Sequence, residues 1–84
     1  MGELSNLPNI GEFVEEQLNQ VGITTYEQLK NAGTKQAWLD IKAIDPSACI
    51  HRLLALEGAI RGIKKSDLPE ETKADLREFY KNFK

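Results

Sequence analysis

Apolar positions along this chain recur at helical spacing, and no segment alternates with period two over a useful length. Ile10, Val14, Leu18 and Val21 fall on one face, which Phe13 widens, so the first segment reads as an amphipathic helix. Gly22 is placed to stop it in a left-handed conformation. Ile23 then occupies the position from which an apolar residue folds back, here toward Leu18. "TTYEQL" restarts helix, with Thr24 and Glu27 at capping-box spacing, Tyr26 and Leu29 directed inward, and Gly33 as the stop.

The same grammar continues to the C-terminus. Thr34 is the expected cap of a third helix with Ala37, Trp38, Ile41 and Ile44 on its buried side. Asp45 and Pro46 suit the N-cap and first position of a fourth. Cys49, Leu53, Leu56, Ile60 and Ile63 form its continuous stripe, and Lys64 and Lys65 end it favourably for the helix dipole. This segment reads as the longest helix. "SDLPEE" starts a fifth, whose apolar face is Leu76, Phe79, Tyr80 and Phe83. The prediction is an all-α fold: a compact bundle of about five short helices, residues 1–84 as one domain, with an N-terminal helix-hairpin-helix-like unit.

Eighty-four residues suffice for one small core. Apolar residues at 40% and charged residues at 29% are ordinary for a globular protein. No apolar run approaches the roughly 20 residues that cross a bilayer. The N-terminus has neither the basic start nor the apolar stretch of a secretory signal, so a cytoplasmic location is expected. A single cysteine rules out an internal disulfide. The net charge of −2 mildly disfavours nucleic acid, and its distribution sharpens that view. Residues 1–29 carry five glutamates and no lysine or arginine; all eleven basic residues lie from Lys30 onward.

That asymmetry bears on the stretch Leu7, Pro8, Asn9, Ile10, Gly11, which has the form of a hairpin turn feeding a helix N-terminus. Such units hold phosphate through free backbone N–H groups and the positive end of the helix dipole. Here Asn9 stands where a first turn glycine is usual. Asn tolerates the left-handed conformation but would present more side chain to a phosphate. Glu12, Glu15 and Glu16 follow at once, satisfying the dipole and repelling anions. The reading is a structural hairpin that does not grip nucleic acid.

Other chemistry is sparse. Cys49 and His51, two apart on a helix, project in divergent directions and share no target, so Cys49 is read as an inert core thiol and His51 as a surface residue. Glu71 and Asp75 put like charges on one helical face without a visible partner. We find no nucleophile, metal set or phosphate loop, so no catalytic residue, cofactor or metal is expected and the chain is read as a non-enzyme. Gly58 and Gly62, four apart in a predicted helix, each cost about 0.8–1.0 kcal/mol against alanine. They are read as close helix-packing positions. Arg61, Lys64 and Lys65 form a small basic patch beside them.

Taken together, "LPNIG", "VGI" before a Thr-capped helix, "AW", "DPSAC", "LLALEGAIRG" and "DLPEETK" are in the order and spacing of one known domain. The chain resembles the C-terminal domain of the TfoX/Sxy family, bacterial regulators of natural competence, from about Leu7 to Phe79. The resemblance implies an all-helical domain in the bacterial cytoplasm with a regulatory rather than catalytic role. Members with the full architecture carry an N-terminal domain that this sequence does not include, so a stand-alone copy is expected. The leading expectation is an interaction module acting on a protein partner through Glu12, Glu15 and Glu16 or through Arg61, Lys64 and Lys65. Neither nucleic acid nor membrane is an expected partner, and the chain is expected to be a monomer or homodimer. The alternative is a nucleic-acid-binding helix-hairpin-helix domain using Leu7 to Gly11 and remote lysines.

Overall fold

The computed structural model describes residues 3–83. Five α-helices follow one another: α1 (Glu12–Gln20), α2 (Tyr26–Ala32), α3 (Thr34–Ile44), α4 (Ile50–Arg61) and α5 (Glu70–Phe83). Short 3-10 turns at Glu3–Asn6 and Lys65–Asp67 precede α1 and α5, and there is no strand among the described residues. The all-α expectation holds. Helix α4 lies at the centre, against α2, α3, α5 and the second 3-10 turn, while α1 packs on α3 and on the first turn. The radius of gyration, 11.7 Å, matches the roughly 12 Å of a close-packed chain of this length.

The core is one continuous cluster whose largest wholly buried members are Trp38, Leu4, Leu18, Leu29, Ile41, Leu53 and Leu56. Trp38 organises its α5 side. The rings of Phe79, Tyr80 and Phe83 meet it edge-on at centroid distances of 6.0, 5.6 and 5.0 Å. These edge-to-face contacts add to the area each ring buries. The indole Nε1 donates to Cys49 O at 3.2 Å, which leaves no polar atom of the ring unpaired.

Several helix ends follow the sequence grammar. At the end of α1, Gly22 takes φ +88°, Gly22 N donates to Asn19 O and Ile23 N to Leu18 O, the predicted Schellman closure. Gly33, at φ +86°, closes α2 and turns the chain directly into α3.

Other ends differ from expectation. Thr25, not Thr24, caps α2, accepting from Gln28 N, and the Gln28 side chain rather than Glu27 reaches back, to Thr24. Thr34 lies inside α3, its hydroxyl donating to Glu57 Oε1 at 2.6 Å, so it is a cross-link between α3 and α4 rather than a cap. Residues Asp45 to Ala48 form a turn, with Ala48 N donating to Asp45 O and Pro46 at its second position, and α4 starts only at Ile50. Asp45 is not free to cap because its carboxylate accepts from Ser47, Gln17 and Arg52. At 14 residues, α5 exceeds the 12 of α4 and is the longest helix.

The predicted apolar faces also run too far. Phe13, Ile44 and Phe83 are exposed at 60%, 46% and 41%. Cys49 is half-buried and takes the N-cap position of α4, so the stripe expected to begin with it begins instead at Leu53.

Candidate functional site

The turn at residues 7–11, read from the sequence as a hairpin and called so below, is docked against the C-terminal end of α4, and Asn9 makes the joint. Asn9 adopts φ +68°, the left-handed conformation anticipated for it. Its side chain turns inward: Nδ2 donates to Ala55 O at 3.3 Å and to Ile63 O at 3.1 Å, while Oδ1 accepts from Lys65 N at 3.1 Å. Two of these partners, Ile63 O and Lys65 N, belong to the backbone that leaves α4, so one amide ties the turn both to the helix and to the chain beyond it. The expectation that Asn9 would obstruct a ligand at the turn is therefore replaced by an interlock with α4.

Both glycines of the "EGAIRG" stretch take part in this joint, in different ways. A Cβ at Gly58 would lie 2.7 Å from Ile63 O and 3.2 Å from Lys65 N, and would also collide with Asn9 Nδ2. Gly58 is thus a close-approach position, but the approaching groups are the hairpin and the chain just beyond α4 rather than a second helix. Gly62 corrects the prediction. At φ +77° it is the left-handed stop of α4, with Gly62 N donating to Ala59 O and Ile63 N to Gly58 O. A Cβ there would meet nothing within 4 Å. Because α4 ends at Arg61, Lys64 and Lys65 are not its last turn.

The charged residues redistribute as well. Glu15 is 4% exposed, with Oε2 accepting from Leu4 N at 3.1 Å and Ser5 N at 3.2 Å, so it ties the N-terminal 3-10 turn to α1. Of the predicted acidic surface, only Glu12 and Glu16 are exposed. The basic patch divides. Arg61 pairs with Glu57 at 2.6 Å and donates to Thr72 Oγ1, on a broad polar groove that also contains Thr34, Glu71 and Asp75. There Asp75 finds Lys35 at 3.2 Å, a partner the sequence did not show.

Lys64 and Lys65 instead line a second groove of about 700 Å³ beside Pro8, Asn9 and Ile63. A smaller hollow, bounded by Val14, Cys49, His51, Arg52 and Ala55, meets that groove at Asn9 and Lys65. The sequence places its nearest basic residue 19 positions beyond Gly11; folding brings two lysines to the hairpin itself.

Arg52 stands at the far end of this hollow. Its Nη1 donates to Asp45 Oδ2 at 2.8 Å and to Gln17 Oε1 at 3.0 Å, and Gln17 Nε2 donates to Asp45 at 2.7 Å. The guanidinium also lies 5.5 Å from the centroid of exposed Phe13. Hydrogen bonds from Ser47, then Gln17, then Arg52 hold the Asp45 carboxyl well below the usual carboxylate range. Sequence reasoning missed Phe13, Gln17 and Arg52 as a unit. Phe13 alone left a trace, since it lies at the edge of the α1 apolar face. His51 is exposed, as expected. No group of three or more His, Cys, Asp or Glu suited to a metal occurs among the described residues, and no helix there is long and apolar enough to cross a membrane.

A family model for the TfoX C-terminal domain matches residues 1–80. The chain belongs to that family. It is 34% identical over 76 residues to the protein Sxy of Escherichia coli (strain K12), an alignment covering 90% of this chain and 36% of Sxy. The TfoX C-terminal domain described here therefore spans just over a third of Sxy. Two crystal structures from Listeria monocytogenes share the fold, each with TM-score 0.94. One, of an uncharacterized protein in a triclinic form, is 44% identical and covers 95% of this chain and 91% of its own. The other, of a protein of unknown function in a tetragonal form, is 43% identical and covers 98% and 100%.

Proposed function

We propose that this chain is a non-enzymatic interaction module that acts on a protein partner in a regulatory setting. Membership of the TfoX C-terminal domain family carries the reading, because the family resemblance implies regulation. The polar geometry supports it. Of the groups that sequence reading set aside as candidate acids, bases or nucleophiles, Asp75 is paired with Lys35 and Cys49 occupies the N-cap position of α4; elsewhere Glu15 holds the N-terminal turn and Glu57 binds Thr34 and Arg61. What remains outward-facing and uncommitted is better suited to contact than to proton transfer.

The nucleic-acid alternative gains one observation: Lys64 and Lys65 flank the hairpin. The charge count weighs against it. The grooves beside the hairpin offer Lys64, Lys65 and Arg52, and Arg52 is already paired with Asp45. Neutralising about three phosphates supplies much less of the counterion-release term than the 6–10 contacts of strong binders.

Affinity capture with the immobilised domain from bacterial lysate, with and without nuclease, tests the proposal. The expected result is saturable retention of a discrete protein that survives nuclease. Retention of nucleic acid alone would replace this reading with the alternative.

A further inference from the structure

We infer that the seam between the hairpin and α4 is a docking groove for a short acidic segment of a partner protein that carries an apolar side chain. This deepens the interaction reading above and rests on it. The two hollows that meet at Asn9 and Lys65 form one channel along α4, from its N-terminal cap at Cys49 to the chain beyond Gly62. With 12 residues in α4, the channel follows about 18 Å of helix, the length of five or six extended residues.

Charge complementarity identifies the occupant. The chain as a whole is negative, yet this channel has two cations without an ion-pair partner among the described residues, Lys64 and Lys65, with His51 and the Asp45-paired Arg52 beside them, against the single lining carboxylate of Asp67. Lys64 and Lys65 have no ion-pair partner among the described residues, whereas Lys35, Lys73, Arg52 and Arg61 are each paired. Their positive field is therefore not cancelled locally. The walls between the charges are apolar: Pro8 and Ile63 at one end, Val14 and Ala55 at the other. Phe13, exposed and stacked on Arg52, extends that apolar surface at the rim. An exposed aromatic beside an arginine held by hydrogen bonds offers a partner an apolar and a cationic contact side by side. Sugar and phosphate alone would leave these walls uncovered; a peptide with carboxylates flanking a leucine or phenylalanine covers both.

The floor is also fixed before any partner arrives. Asn9 bonds both banks of the channel, to Ala55 O on α4 and to Ile63 O and Lys65 N beyond it. Little ordering cost is left for binding, which favours even a short segment.

The test is a titration of isotope-labelled protein at ~0.15 M salt with a capped hexapeptide of four acidic residues around a Leu-Phe pair, read by amide shifts. Shifts should concentrate at Asn9 and at residues 49–55 and 62–67. The double substitution Lys64→Glu with Lys65→Glu should weaken binding by about tenfold, with the melting temperature unchanged because both side chains are exposed. A peptide with lysines in place of the acidic residues should not bind. Shifts centred elsewhere, no shifts at millimolar peptide, equal binding of the lysine peptide, or a single-stranded or duplex oligonucleotide outcompeting the peptide would each overturn the proposal. In the lysate capture, a protein retained equally by wild type and the double variant would leave the interaction reading standing and remove this groove from it.

Discussion

The hairpin–α4 seam and the α3–α5 seam hold peripheral elements to the same bundle by different forces. At the first, one side chain, Asn9, makes three directional hydrogen bonds to backbone, and Gly58 keeps the approach open. At the second, three rings surround a wholly buried indole. Apolar burial contributes most of the free energy but tolerates small shifts in position. Hydrogen bonds to backbone contribute less in net terms and fix the relative placement of the partners. The comparison teaches that α5 is held by strength and the hairpin by register. Only the second property is useful for keeping a shallow groove in shape.

Truncating the indole should break the comparison most severely. Trp38→Ala is expected to cost about 3–5 kcal/mol, a large part of the roughly 4–13 kcal/mol available to a domain of this length. Denaturant titration should show it, with α5 losing amide-exchange protection along with the core. A loss below about 1 kcal/mol would mean that the aromatic seam does not carry the bundle.

Asn9 separates conformation from hydrogen bonding. Asn9→Gly keeps a residue at ease at φ +68° but removes all three bonds, and should cost about 1–3 kcal/mol. Asn9→Ala should cost more, because the left-handed strain is added. Equal stability of Asn9→Gly and wild type would show that the interlock is not needed.

Gly62 sharpens the contrast with Gly58. Since a Cβ at Gly62 meets open space but the backbone is left-handed, Gly62→Ala and Gly62→Leu should each cost about 1–2 kcal/mol, independent of side-chain size. Marked dependence on size in thermal melts would restore the packing role read from the sequence.

The smallest effect concerns acid. Asp45 has its carboxyl depressed by Ser47, Gln17 and Arg52, so its contribution is complete above the ordinary aspartate range near pH ~3.9 and is lost as pH falls below it. Acidification should loosen the α1–α3–α4 junction around Ser47 and Arg52 before it disturbs the near-ultraviolet signal of Trp38. Asp45→Asn should abolish that selective loosening. Simultaneous loss of both signals would show that the polar joint and the aromatic seam are one cooperative unit.

Much of the fold could be read along the chain. Helical periodicity gave the five helices, and Gly22 and Gly33 marked their stops, because periodicity and left-handed glycine are properties of a few neighbouring residues. The ends that were misplaced, at Thr34 and Asp45, share one cause. Each side chain has a local capping option and is also claimed by distant partners, Glu57 for Thr34 and Arg52 with Gln17 for Asp45. Likewise Glu15 looked like surface charge until the Leu4 and Ser5 amides were placed over it.

The sequence by itself determined the helix count, the all-α class, the left-handed turn at Asn9 and the family to which the domain belongs. Only tertiary structure decided that the Asn9 amide points into α4, that Gly58 faces the hairpin, and that Lys64 and Lys65 stand beside a turn more than 50 positions earlier. The physical reason is range. Backbone conformation and apolar periodicity are set within a turn or two of helix, whereas a hydrogen-bond partner or an electrostatic neighbour is chosen only when distant segments are packed together.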